Sequence, residues 1–433
     1  MKLKTILQSF FILNSTFLIQ SKAQSISAVE KKIIEHVKVN MPQTEQLLID
    51  AVNINSGTLN HEGVRKVGQL FRKEFDAMGF TTEWVSLPDT LNRAGHLVAF
   101  RKGKKGKKLF LIGHLDTVFE KSMAVGPFTR LTDSTATGQG VNDMKGGDVM
   151  IIAGLKALYA QGLLDDTNIT VYLTGDEESA GKPTSISRKD FIERAKECEV
   201  ALGYETAQSF DIAATARRGA SGWHLITHGK TGHSSGVFNK TMGYGAIYEA
   251  ARILDEFREA LSQEKYLTFN PGVIVGGTEV NYDATQAKGM AVGKTNIVAQ
   301  KVEVTGDLRF ISEAQKEAAR VKMREIASKN LNATSAEISF SDGIPAMEPT
   351  EANTKLLEVL NKASQDMGLG SVKAGDPGSR GAGDISYIAQ YVSCLDGLGA
   401  SGRGAHAPGE TINLKEYQAL IQRSALLLYR LTR

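Results

Sequence analysis

Apolar residues spaced three or four apart, Val29, Ile33, Ile34 and Val37, predict a helix early in the chain. A second helical pattern spans 62–78 and stops at Gly79, which suits the left-handed position after a helix end. Strand-like runs follow at 82–87, 96–101 and 109–114. The basic segment 102–108 between the last two reads as a solvated hairpin turn, not a nucleic-acid patch. Past Gly146-Gly147, a buried helix is predicted over 148–161, and apolar strands at 169–174 and 200–204. Apolar strands alternating with helices imply an α/β fold built on a largely parallel sheet. From Gly219 the texture changes. Strands at 223–227, 272–274 and 296–304, with helices at 244–261 and 313–329, suggest a separate α+β module. The chain therefore reads as one domain in two parts, 24–218 and 333–433, interrupted by an insertion at 219–332.

Composition narrows the function. With 433 residues, 42% hydrophobic and 23% charged, the chain has room for two domains, and it is neither a disulfide miniprotein, a collagen-like repeat nor a disordered tail. It carries 51 basic and 48 acidic residues, and the first 23 hold three of the lysines and no acid. The remainder is neutral, so it offers no electrostatic footprint for nucleic acid or an acidic membrane surface. Residues 1–23 have the make-up of a secretory signal peptide: Lys2 and Lys4, then an apolar stretch, then Ser21-Lys22-Ala23 ahead of Gln24. Polar residues such as Gln8, Asn14 and Gln20 break the run, which argues against a membrane anchor and for export to a periplasm or the medium. Cys198 and Cys394 could pair there or stay as buried thiols.

Chemistry-bearing residues gather in five segments beside the predicted strand ends, where open α/β sheets place their functional side chains. His114 and Asp116 share one strand face, as a structural pair or as a ligand with its carboxylate partner. Asp143 sits in a glycine-flanked turn, where an acid also serves as a helix cap. Asp176-Glu177-Glu178 directly follows an apolar strand, and such a run either faces water or faces a cation. Glu205 ends another strand, and His406 lies in a loop too rich in glycine and proline to be helical. Each signal is weak alone. Together they supply two histidines and at least three carboxylates, which is what two metal ions ~3.5–4 Å apart and a free acid acting as base require.

In this order and context, the His114-x-Asp116, Asp143, Glu177-Glu178, Glu205 and His406 motifs resemble the dinuclear-zinc peptidase and deacylase family of carboxypeptidase G, aminoacylase and succinyl-diaminopimelate desuccinylase. The resemblance covers nearly the whole chain after the leader. It implies a zinc-exopeptidase-like catalytic domain with a mixed, largely parallel sheet, and makes 219–332 a ferredoxin-like lid and dimerisation domain. It implies two Zn²⁺ per subunit, with His114 and Glu205 on one, Glu178 and His406 on the other, and Asp143 bridging. Glu177 would be the general base, Asp116 would orient His114, and a cis peptide would follow Asp143. Glu at position 205 leans toward substrates with a free carboxylate. In the lid, His233, within Thr231-Gly232-His233-Ser234-Ser235, would stabilise the oxyanion in the partner's site of a homodimer. Asn296 and Arg309 would contact the substrate carboxylate, although either could instead be a turn residue or a surface ion pair.

The implied activity is that of an exported exopeptidase acting on peptides or N-acyl amino acids. A deacylase or dipeptidase with the same site is the nearest alternative, and a non-catalytic binding protein on the same fold a distant one. Two nucleotide-like patterns are set aside. Residues 397–402 fit G-x-G-x-x-G but lead into Pro408-Gly409 instead of a helix, and Gly229-Lys230-Thr231 lacks the first glycine of a phosphate-binding loop.

Overall fold

The computed structural model describes residues 26–284 and 286–433, so the signal peptide expected at 1–23 lies outside the described residues. The chain opens with helices α1 (Ala28–Val39), α2 (Met41–Val52) and α3 (His61–Ala77). Ser27 and Glu30 close a capping box on α1. Gly79, at φ +74°, takes the left-handed position that follows α3. Strands β1 (Thr81–Val85), β2 (His96–Arg101), β3 (Lys105–His114), β4 (Thr167–Thr174) and β5 (Val200–Gly203) come next, with helix α4 (Lys145–Tyr159) between β3 and β4.

Among the described residues these five strands and a last one, Ser393–Leu395, form a six-stranded sheet in the order β1, β2, β4, β3, β5, Ser393–Leu395. The β4–β3, β3–β5 and final pairings are parallel, and the two at the β1 edge antiparallel. The sheet carries a core on each face. Leu109 and Leu111 of β3 share one core with α3 and α4 residues such as Phe71 and Ile151, while Phe110 and Ile112 share the other with Phe191, Ile388 and Cys394. Burial on both sides explains why these strands read as unbroken apolar runs. Helix α4 is itself enclosed, packed between the sheet and the C-terminal helix Leu414–Leu431.

The segment at 102–108 is exposed, but it does not turn a hairpin. Strand β4 lies between β2 and β3, so the basic residues carry the chain across β4 and begin β3 itself. A local pattern of basic and glycine residues cannot report a strand that inserts from later in the sequence.

The insertion has its own core, built around Trp223, Leu225, Ile253, Phe257, Val304 and Met323. Its antiparallel sheet comprises β6 (Gly219–Gly229), β7 (Thr268–Gly277), and, after a small hairpin of β8 (Glu279–Asp283) and β9 (Lys288–Val292), β10 (Lys301–Phe310) and β11 (Thr334–Ile344). The order is β7, β10, β6, β11. Helices Gly245–Leu261 and Glu313–Ala327 pack on it. Strand β6 alternates buried and half-buried residues, as a sheet packed on one face does.

Three expectations change here. The β8–β9 hairpin was not foreseen. Residues 296–300, expected in a strand, precede β10. The lid sheet continues to Ile344, beyond the boundary expected at 332, because β11 pairs along β6 and so belongs to the insertion. Both cysteines are free thiols, Cys394 buried and Cys198 half-buried.

Candidate metal centre

Three neighbouring parallel strands, β4, β3 and β5, end on the same edge of the sheet, and beyond each end stands a chemistry-bearing group. His114 closes β3, the Asp176–Glu178 turn follows β4, and Glu205 follows β5. The turn before α4 adds Asp143, whose peptide bond to Met144 is cis. Gly147 permits the approach of α4: a Cβ there would lie 2.1 Å from the Tyr204 carbonyl oxygen. The loop before the C-terminal helix adds His406, with a left-handed φ of +66°.

The two carboxylate oxygens of Asp143 face different histidines. Oδ1 lies 3.3 Å from His114 Nε2 and Oδ2 lies 3.2 Å from His406 Nε2. Glu205 is 3.7 Å from His114 Nε2, and Glu178 is 3.0 Å from His406 Nε2. His114, Asp143 and Glu178 present ligand atoms within 4.8 Å of one another, and so do His114, Glu177 and Glu205. Structure thus gathers His114, Asp143, Glu177, Glu178, Glu205 and His406 around one centre.

Asp116 sits behind them in a role the strand pattern only half suggested. His114 Nδ1 is 3.0 Å from the Asp116 carbonyl oxygen and 3.5 Å from its carboxylate. The carboxylate accepts from the backbone N–H groups of Glu177 and Glu178, at 3.0 and 3.2 Å, and from the Thr58 hydroxyl at 2.6 Å. One residue therefore fixes the ring of His114 and the turn bearing both glutamates.

The electrostatics suit cations. Burial, then the charge of Asp143, pushes Glu205 up to about 7. Burial and Glu205 push Glu177 well above the carboxylate range. Hydrogen bonds to Asp143 and Glu178 drive His406 up to about 11, and those to Asp116 and Asp143 raise His114 against the opposing effect of burial. Burial favours protonated Asp143, but its hydrogen bonds from the two histidines win and hold it low. Glu178 Oε1 is buried without a hydrogen-bond partner, and His114 Nε2 has only the carboxylates of Asp143 and Glu205 near it, at 3.3 and 3.7 Å. Crowded carboxylates with such an orphaned ligand atom fit a pair of divalent cations.

Several supporting residues escaped the sequence reading. Glu410 accepts hydrogen bonds from the backbone N–H groups of Gly140, Asn142 and Asp143, at 3.0, 2.6 and 2.7 Å. It joins the His406 loop to the Asp143 turn. Arg188, buried, spans Asp176 at 2.6 Å and Asp384 at 2.8 Å, so the first acid of the triplet faces away from the centre. Arg217 pairs with buried Asp396 at 2.5 Å. None of these has a local motif, since each partner lies far along the chain.

The three lid residues keep to partners within the lid. His233 is exposed and meets Ser235 Oγ at 2.9 Å, the Asn296 carbonyl accepts from Ser234 N–H at 2.9 Å, and Arg309 pairs with Asp307 at 2.8 Å. Among the described residues of one chain, none of the three side chains forms a hydrogen bond or ion pair with the metal-centre residues.

Residues 110–430 match the description Peptidase family M20/M25/M40. The chain belongs to that family. It is a metallohydrolase of the exopeptidase and amidohydrolase kind with a dinuclear metal site, on the α/β fold of the M20 peptidases with its separate antiparallel lid sheet. Carboxypeptidase G2 of Pseudomonas sp. (strain RS-16) is 27% identical over 373 residues, covering 84% of this chain and 83% of that protein. A succinyl-diaminopimelate desuccinylase of Psychrobacter sp. (strain PRwf-1) is 23% identical over 393 residues, covering 88% and 93%. Among solved structures, aminopeptidase PepT from Bacillus cereus matches with a TM-score of 0.72 at 18% identity, over 90% of this chain and 99% of that one. At that identity the M20 likeness extends to the fold alone.

Proposed function

We propose that this M20 member is an exported, zinc-dependent exopeptidase that hydrolyses the amide bond to a C-terminal amino acid. The observation that carries the reading is Asp143 divided between His114 and His406, with Glu177 beside them. His114, Asp143 and Glu205 would hold one Zn²⁺, and Asp143, Glu178 and His406 the other. Metal ions bound there supply Lewis acidity, polarising the scissile carbonyl and making a water easier to deprotonate. Glu177 takes the proton from the attacking water and returns it to the leaving amine. Its burial raises its proton affinity, which suits a group that must accept a proton and then give it up. Asp116 keeps His114 and the Glu177 turn in register throughout.

Glu177 and Glu178 open onto a cleft whose far wall is the lid, at Ala220–Gly222 and 341–344. A substrate held there would lie between the two domains. The proposal includes a homodimer in which His233, whose side chain bonds to Ser235 and to none of the metal-centre residues of its own chain, serves the partner's site. The composition of residues 1–23 supports export, with cleavage near Ala23. Similarity to carboxypeptidase G2 supports release of a C-terminal residue. Similarity to a desuccinylase supports a second reading, N-acyl amino acid deacylation at the same site.

The test is amino-acid release by protein beginning at Gln24 from a panel of peptides and N-acyl amino acids, with zinc, with chelator, and with Glu177→Ala. Chelator-sensitive release absent from the variant supports the reading, and the best substrate separates exopeptidase from deacylase. Two metals bound with no release from any member would count against it.

A further inference from the structure

A half-buried arginine stands beside the metal centre with nothing to hold. Arg380 lies in the loop after the Pro377–Ser379 turn. Among the described residues its guanidinium forms no hydrogen bond and no ion pair, although every N–H on it is a donor. A space is built for it. Gly397, at φ +70°, lies so close that a Cβ there would be 2.6 Å from Arg380 Nη1. From Gly397 the chain runs directly past the metal-site strand end. Leu398 N–H donates to the Gly203 carbonyl, and Gly399 N–H to the Glu205 carbonyl, at 3.1 and 3.0 Å.

The neighbours leave the group free. Arg217, the other guanidinium here, is fully engaged by Asp396, the Gly381 carbonyl and the Ala382 carbonyl. Asp396 also accepts from Gly397 N–H at 2.7 Å. Burial and the charge of Arg217 work against the Arg380 cation, while Asp396, Glu205 and Asp143 favour it from a distance. Half-buried and without a protein acceptor, the guanidinium keeps its donors free for a ligand.

Building on the amide-hydrolase reading above, we propose that Arg380 is a specificity-determining residue that receives a carboxylate of the substrate in its planar fork. It would do so from the catalytic domain of the same chain, whereas Arg309 of the lid is already paired with Asp307. The carboxylate is either the α-carboxylate of the C-terminal residue or that of an acidic side chain. A bidentate fork distinguishes both from the corresponding amide.

The test uses protein from Gln24 with zinc and three ligands: benzoyl-glutamate, benzoyl-glutamine and the α-amide of benzoyl-glutamate. Binding is measured by calorimetry on Glu177→Ala, with and without Arg380→Gln, and hydrolysis on the corresponding pair with Glu177 intact. Loss of a charged hydrogen-bond pair weakens binding about 10- to 100-fold. If Arg380→Gln weakens benzoyl-glutamate and benzoyl-glutamine alike but spares the α-amide, Arg380 holds the α-carboxylate. If it weakens benzoyl-glutamate and its α-amide but spares benzoyl-glutamine, it holds the side-chain carboxylate. Either result supports the proposal, and Arg380→Lys should recover only part of the loss. Equal effects on all three ligands, or none, would overturn it by leaving Arg380 a structural or general charge-balancing residue. Carboxylate-selective binding without turnover by the Glu177-intact protein would instead sink the hydrolase reading and leave this one standing.

Discussion

The metal centre and the lid are both rich in polar side chains, but they are held in opposite ways. At the centre, His114 and Asp116 are buried, and the acids around them are fixed by partners from distant segments, including Thr58 and Glu410. In the lid, His233 and Arg309 stay at the surface with partners two residues away. Exposed apolar residues, among them Phe238, Ile247, Tyr248 and Ile274, accompany them. Chemistry that needs fixed geometry has been placed where the fold itself supplies it. The lid residues keep to local contacts and would need another surface to act on.

The largest expected effect tests the division of labour inside the centre. Glu177→Ala should lower kcat by about 10³-fold or more, the range for a general acid–base, while metal content measured by atomic emission stays unchanged. Loss of metal along with activity would make Glu177 a ligand.

Next comes the lid. His233→Ala should lower kcat about 100-fold with little change in KM, as expected for an oxyanion donor. Mixing it with Glu177→Ala under conditions that exchange subunits should restore activity, since each mixed dimer would contain one intact site. Failure to complement, with the dimer shown by light scattering, would place His233 in its own chain's chemistry or in none.

Glu410→Ala should weaken zinc binding about 10- to 100-fold, the usual cost of losing a group that orients a ligand. Glu410→Gln, which keeps one acceptor oxygen, should lose less. Competition with a chromogenic chelator would read both.

The smallest effect per step, at most tenfold per unit for each proton, is in pH. His406, held at about 11 by Asp143 and Glu178, must give up its proton to bind metal, so zinc affinity should rise with pH, up to tenfold per unit for each proton released. Without metal the sign reverses for stability. The raised His406 stabilises the fold fully below the ordinary histidine range of about 6.5, and that contribution fades as pH climbs toward its folded value. Glu205 and Glu410, each pushed up to about 7, act in the same direction, their contribution fading from about 4.3 upward. Thermal melts of metal-free protein should therefore fall in Tm from pH 5 to 8, and zinc should flatten the trend.

Much of this was legible before folding. The unbroken apolar runs of β3, β4 and β5 announce strands buried on both faces, and the polar residues just past them announce a site, because side chains at the ends of parallel strands converge. The motif order supplied the metal-ligand candidates, and the fold brings them together. Local chemistry could not report that β4 inserts between β2 and β3, that β11 joins the lid, or that Asp116 supports the Glu177 turn as well as His114. Nor could it single out Glu410 or Arg380. A loop acid and a loop arginine look ordinary until one meets three backbone N–H groups from about 270 residues earlier and the other is laid against a glycine beside Glu205's strand. The sequence alone determined which residue types were available and the period on which they fall, since both are properties of neighbours along the chain. Which acids face a cation, which face an arginine and which brace a turn was decided only when burial stripped away water and left each charge to the partner that folding brought within reach.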